Sequence, residues 1–210
     1  MKIMQLCVGA VATNCYIVYG EASREGAVVD PGDNAASILR AAAQENLTIK
    51  YVLLTHAHFD HLLAAHEVLK KTGAQYVVPE GDLWLLKREN MGEFEPMVRG
   101  YIEDTPDIIA KEGTEVTFGG MTAHYMNTPG HTPGSSVIRI GEVLFTGDTL
   151  FRHECGRCDF EGGDFGQMLR SLKRLHDLEG DYQVLPGHEG LSTLSEERRA
   201  NPYMLQAVRQ

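Results

Sequence analysis

Thr55-His56-Ala57-His58-Phe59-Asp60-His61 places four potential metal-binding side chains within six residues. With 9 histidines and 11 aspartates in 210 residues, an H-x-H-x-D-H string arises by chance roughly once in a thousand such chains. In extended backbone His56 and His58 point to the same side, so both imidazoles can meet one ion. A turn toward a following helix then redirects Asp60 and His61.

The flanks support that reading. Tyr51-Val52-Leu53-Leu54 reads as a buried strand with His56 at its exit. From Leu62 to Lys71 the apolar positions recur at helical spacing, and Gly73 supplies a C-terminal stop. One loop rarely completes a metal site, so distant donors are expected, and three stand at the ends of predicted strands: Gly130-His131, Gly147-Asp148 and Gly187-His188. A glycine before each donor permits a tight turn and close approach to an ion.

Further out, strand-like runs cover Ile3 to Val8, Thr13 to Tyr19 and Ala27 to Asp30, the last stopped by Pro31-Gly32. Asp33-Asn34 caps a helix reaching about Glu45, and Gln75 to Val78 returns as a strand. Leu83 to Leu86 suggests a short helix, whereas Met91 to Pro106 has no clean period and reads as a lid or a surface insertion. A second β-rich half follows with Glu115 to Phe118, Met121 to Met126, Ser135 to Ile140 and Glu142 to Phe145. Asp164 and Gln167 form an N-terminal capping pair ahead of the stripe Phe165, Met168, Leu169, Leu172 and Leu175. Gln183 to Leu185 is a strand, and Ser192 to Gln210 can form a terminal helix. Two halves, each of several strands and then a helix, predict an α+β four-layer αββα sandwich: two mixed β-sheets packed together, with helices outside. The length predicts one domain spanning residues 1–210.

At this point the chain resembles the metallo-β-lactamase fold superfamily, and within it the short glyoxalase II-like (hydroxyacylglutathione hydrolase-like) enzymes. The resemblance rests on Asn14-Cys15-Tyr16, Val29-Asp30-Pro31-Gly32, the His56 to His61 motif, Pro129 to Ser135, Phe145-Thr146-Gly147-Asp148 and Pro186-Gly187-His188. It implies one ion on His56, His58 and His131, another on Asp60, His61 and His188, and Asp148 bridging both. Imidazole and carboxylate donors suit Zn²⁺, the expected ion of the pair, and Fe and Mn accept similar donors. Two such ions can share a hydroxide that is nucleophilic at neutral pH and attacks an acyl carbonyl, with Asp60 and Asp148 as the catalytic carboxylates. By the same resemblance Asp30 orients a ligating imidazole from behind, and Gly156, Arg157 and Phe160 border the substrate, where Arg157 can meet a carboxylate.

The implied activity is hydrolysis of a small thioester, S-lactoylglutathione or a related acyl thioester. Full-length glyoxalase II enzymes grip glutathione with a C-terminal helical domain, whereas 22 residues follow His188 here. Lactonase or other small-ester hydrolysis is therefore the nearest alternative, and a mononuclear iron persulfide dioxygenase is a further one. The formal charge of −10 and the lack of a Lys/Arg run disfavour nucleic acid as a partner. No apolar stretch approaches the roughly 20 residues of a membrane span. The start of the chain only loosely imitates a signal peptide, because Gln5 interrupts the apolar run and Thr13 to Tyr19 reads as a strand of the fold. Four sparse cysteines do not make a disulfide framework, so a cytoplasmic setting is expected. The oligomeric state stays open, a homo-oligomer included. His66, His124, His153 and His176 read as surface or partly packed residues, and Cys155-Gly156-Arg157-Cys158 as a coincidental C-x-x-C.

Overall fold

The computed structural model describes residues 1–209, and the side chains of all of these except Glu93, Glu95 and Pro96. Twelve strands among the described residues form two six-stranded sheets. The first contains β1 (Lys2–Val8), β2 (Thr13–Tyr19), β3 (Glu25–Val29), β4 (Thr48–Leu53), β5 (Gln75–Pro79) and β6 (Ile108–Ala110), in that spatial order. It is antiparallel from β1 to β3 and parallel from β3 to β6. The second contains β7 (Glu115–Phe118), β8 (Met121–Asn127), β9 (Ser136–Ile140), β10 (Val143–Gly147), β11 (Gln183–Pro186) and β12 (Ser192–Thr193), each strand beside its sequence neighbour. Only its β10–β11 pair is parallel. Both sheets are therefore mixed, and the helices lie outside them as expected.

The period-two alternation of strands builds the layers. On β2, Cys15, Ile17 and Tyr19 enter the apolar layer under α1 (Ala35–Gln44) and α3 (Ala65–Thr72), while Tyr16 and Val18 enter the layer between the sheets. On β10, Val143 and Phe145 face that same middle layer, whereas Leu144 turns outward to α4 (Phe165–His176), α5 (Leu194–Ala200) and α6 (Pro202–Ala207). Three apolar layers between four structural ones make the αββα sandwich.

Caps follow the sequence reading. Asn34 accepts from the Ser37 amide at the start of α1, Asp164 accepts from the Gln167 amide at the start of α4, and Gly73 ends α3 at φ 68°. The helix expected over Leu62 to Lys71 is broken in two: α2 (Phe59–Leu62) is a single turn, and the Ala64 amide leaves the helical ladder for the Pro31 carbonyl at 2.9 Å. The expected terminal helix is likewise divided, because Asn201 is extended and caps α6, with Pro202 at its first position; Gln210 lies outside the described residues. Residues 80–97 contain three 3₁₀ segments rather than one short helix.

Candidate metal centre

The site lies at one rim of the sandwich, where β4, the loop before β9, β10 and β11 deliver their donors. His56 and His58 leave β4, His131 sits in the loop after β8, Asp148 follows β10 and His188 follows β11. Close approach of these segments explains the neighbouring glycines. A Cβ at Gly147, which has φ 47°, would lie 2.3 Å from Thr55 Oγ1, and one at Gly187 would lie 2.3 Å from Asp148 Oδ1.

Donor atoms of His56, His58 and His131 lie within 4.8 Å of one another, and so do those of Asp60, His61 and His188. Asp148 touches both triads: Oδ1 is 3.4 Å from His61 Nε2, while Oδ2 is 3.5 Å from His131 Nε2 and 3.6 Å from His188 Nε2. Asp60 Oδ2 is 3.2 Å from His188 Nε2 and 3.4 Å from His61 Nε2. The structure thus brings all seven predicted donors into one cluster.

Hydrogen bonds behind the cluster set the imidazole tautomers. Asp30, 2% exposed, accepts from the Thr55 amide at 2.8 Å and the Thr55 hydroxyl at 2.7 Å. Because that hydroxyl's one O–H donates to Asp30, at 3.2 Å it accepts from His56 Nδ1, which leaves the lone pair on His56 Nε2. His61 Nδ1 donates to Asp30 Oδ2 at 3.0 Å and His131 Nδ1 donates to the Arg157 carbonyl at 2.6 Å, freeing both Nε2 atoms in the same way. His58 Nδ1 approaches His131 Nε2 to 2.8 Å. His56 Nε2, His61 Nε2 and Asp148 Oδ1 are buried with no hydrogen-bond partner among the described residues. Convergent buried lone pairs of this kind are costly unless a cation takes them. Three aspartates, Asp30, Asp60 and Asp148, surround His61, so the donor set fits divalent metal ions.

The electrostatics agree. Burial drives the His56 imidazole well below its usual range, with His61 and His131 adding repulsion. His58 is pushed down to about 3, first by burial and then by His131. Burial, the largest single influence, would raise Asp60 and Asp148, but His61 and His188 together, joined by Thr13 at Asp60 and His131 at Asp148, hold each carboxyl below its ordinary value. For His61 burial is overcome in the opposite direction by Asp60, Asp148 and Asp30, and its pKa rises. His56 and His58 are therefore held neutral and Asp60 and Asp148 ionised, as metal binding requires, whereas the carboxylates favour a proton on His61 and His188 that an arriving cation would displace.

Among the supporting residues, Asp82 and Thr13 carried no signal of this role in the sequence, whereas Asn14-Cys15-Tyr16 did through the family resemblance. Asp82, fully buried, accepts from the Ala57 amide at 3.0 Å, the Thr132 hydroxyl at 2.7 Å and the Gly134 amide at 2.7 Å, so one carboxylate ties the His56–His58 loop to the His131 loop. The Thr13 hydroxyl donates to Asp60 Oδ2 at 3.0 Å. Asn14 and Tyr16 donate to the Pro186 carbonyl at 3.1 and 2.7 Å, so the Asn14-Cys15-Tyr16 stretch anchors the His188 loop.

A hollow of about 430 Å³ opens over the cluster, walled by Val11, Phe94, Met97, Phe151, Arg157 and Phe160. The structure places Arg157 and Phe160 on the wall of this hollow. The Arg157 guanidinium lies 4.0 Å over the Phe160 ring and forms an ion pair with Asp159. Segment 80–97 supplies part of this wall, so it is neither detached from the site nor only a surface insertion. His66, His124, His153 and His176 stand outside the seven-residue cluster, paired with Asp104, Glu115, Glu196 and Asp177. Cys155 and Cys158 are free thiols. Burial pushes the first up to about 12 and the second to about 11. No described helix is long and apolar enough to cross a membrane.

Comparison with known proteins agrees with this geometry. Residues 8–188 match the model of the metallo-beta-lactamase superfamily. The chain is 30% identical to hydroxyacylglutathione hydrolase GloC of Haemophilus influenzae over 211 residues, covering 97% of this chain and 98% of that protein. Among solved structures, the B3 metallo-beta-lactamase BLEG-1 superposes with a TM-score of 0.89 at 31% identity, over 97% of this chain and 99% of that one. TTHA1623 in a di-iron-bound form superposes with a TM-score of 0.84 at 30% identity, over 95% and 99%. Fold, donor cluster and family match converge: the chain belongs to the metallo-β-lactamase superfamily, with a glyoxalase II-like resemblance, and is a metal-dependent hydrolase.

Proposed function

We propose that the chain hydrolyses a small acyl thioester, S-lactoylglutathione or a close relative, at a centre of two divalent ions. The observation that carries this reading is Asp148, whose two oxygens face both donor triads across 3.4–3.6 Å. His56, His58 and His131 would hold one ion, Asp60, His61 and His188 the other, with Asp148 shared. Zn²⁺ suits these donors, and Fe and Mn accept them too. Bound ions would acidify a water and polarise an acyl oxygen.

The protein's own groups do the rest. Asp60 stays ionised against His61 and His188, so it can accept a hydrogen bond from the attacking water and orient it. Asp30 keeps His61 in the Nδ1-protonated tautomer, and the Arg157 carbonyl does the same for His131. Phe94, Phe151 and Phe160 narrow the mouth and limit water around the acyl group. The similarity to hydroxyacylglutathione hydrolase GloC supports a thioester as the reacting group.

The test is hydrolysis of S-lactoylglutathione beside other thioesters, lactones and a β-lactam, with metal content measured on the same preparation. Metal-dependent thioester cleavage is expected. Cleavage of lactones or of the β-lactam alone would replace this reading, and a single iron with no hydrolysis would point to persulfide oxidation.

A further inference from the structure

Beside the hollow over the metal centre lies a second one of about 270 Å³ that cleavage of the acyl bond does not itself require. Its walls are Phe59, Trp84, Leu85, Met91, Phe94 and Phe160. Leu85 and Met91 are each 5% exposed, so its depth is apolar. Asn90 and the exposed Glu161 also border it, and the Asn90 side-chain amide is taken up by the Trp84 carbonyl at 2.7 Å. Aromatic contacts hold the walls: Phe59 stacks on Phe94 at 4.9 Å, and Phe94 meets Phe160 edge-on at 5.2 Å.

His58, Phe59, Phe94 and Phe160 border both hollows. The two hollows are therefore neighbours across these four side chains, close enough for a group attached to a carbonyl over the donor cluster to reach past His58 toward the second cavity. The volume is below that of a whole small-molecule site, which runs from roughly 300 Å³ upward. At roughly 30 Å³ for each water-sized group, about nine such groups are the upper limit, and a chain of about six carbons fits within it.

We propose that this cavity is a specificity pocket for a hydrocarbon arm of the substrate, a straight chain of about six carbons or a phenyl-sized group, joined to the scissile thioester. The inference rests on the thioester reading for the reacting group only: S-lactoylglutathione carries no such arm, so the pocket would favour thioesters with a more apolar acyl or thiol part, recognised there by burial. Each methylene taken from water into such a pocket strengthens binding about fourfold.

The test uses the metal-loaded full chain and two substrate series. One varies the acyl group of N-acetylcysteamine thioesters from acetyl to octanoyl, and the other varies the thiol of acetyl thioesters from ethyl to octyl. The expected result is a rise in kcat/KM of about fourfold per methylene in one series, levelling near six carbons; which series rises tells whether the arm is the acyl or the thiol part. Met91→Ala should move the break to longer chains and Met91→Phe to shorter ones.

A binding readout is independent of hydrolysis, because Trp84 is the single tryptophan of the chain and lines the cavity. Its emission should shift on titration with carboxylates from acetate to octanoate, with Kd falling about fourfold per methylene. Flat dependence in both substrate series and in the titration would overturn the pocket. A steep wild-type dependence that neither Met91 variant moves would overturn its location. Absence of any thioester cleavage would overturn the thioester reading, and the Trp84 titration would then decide the pocket alone.

Discussion

Replacing Asp82 should loosen the metal centre from a position that holds no ion. Its carboxylate accepts three hydrogen bonds of 2.7–3.0 Å, from Ala57, Thr132 and Gly134, and the residue is fully buried. In Asp82→Ala the Thr132 hydroxyl can turn to Ser135 Oγ, already 2.8 Å away. The Ala57 and Gly134 amides have no such neighbour and are left buried without an acceptor, at about 1–3 kcal/mol each. A loss of about 3 kcal/mol is expected for Ala. In Asp82→Asn the amide group can satisfy one side of the clamp but turns a donor toward the other, for a loss of about 1–2 kcal/mol. Because the clamp sets the spacing of the His56–His58 loop from His131, the first ion should bind 10- to 100-fold more weakly, the usual scale for residues that orient ligands. Chemical denaturation of the metal-free protein reads the first quantity, and competition with a chelator of known affinity reads the second. Wild-type values of both in Asp82→Asn would refute the clamp.

Other expectations are more direct. Asp148→Ala and His131→Ala should each abolish hydrolysis and lower bound metal while leaving circular dichroism unchanged; full activity in either would defeat the proposed centre. His58 titrates near 3 in the fold and near 6.5 when unfolded, so between these values the unfolded chain carries the extra proton and the metal-free protein loses stability as pH falls. Between pH 6 and 4 the wild type should lose roughly 2 kcal/mol more than His58→Asn, a difference in which the opposite contributions of the raised His61 and His188 largely cancel; equal losses would contradict the buried neutral His58. Cys155 and Cys158, with thiols pushed up to about 12 and 11, should be alkylated far more slowly at pH 8 than the exposed Cys7. Rapid reaction at Cys155 would reopen a redox role for the pair.

The metal donors were legible because their chemistry is local in sequence even where the site is not. His56 to His61 is a dense run, and His131, Asp148 and His188 each follow a glycine at a strand end, a pattern that needs no knowledge of the fold. The strand over Thr13 to Tyr19 was legible, but the division of Cys15, Ile17 and Tyr19 from Tyr16 and Val18 into two layers was not, because both faces of the strand are apolar and buried. Asp82 was not, because its three partners lie 25 to 52 residues away and nothing in Glu80-Gly81-Asp82 records them. The walls supplied by residues 80–97 were hidden by their 3₁₀ geometry: side chains there follow no amphipathic period, so Trp84, Met91 and Phe94 looked unrelated until they closed on one cavity. Strand β6 escaped notice for its length, three residues with Ile109 exposed. The break between α2 and α3 depends on the Pro31 carbonyl, a partner that sequence spacing does not reveal.

The measurement that bears most directly on the central claim is metal stoichiometry. The chain, stripped with a chelator and dialysed, would be titrated with Zn²⁺, and the bound metal counted by elemental analysis alongside Asp148→Ala. Two donor triads sharing one aspartate predict two ions per wild-type chain at saturation and one or fewer in the variant. A wild-type chain that saturates at one ion, or a variant that still holds two, would contradict the binuclear centre.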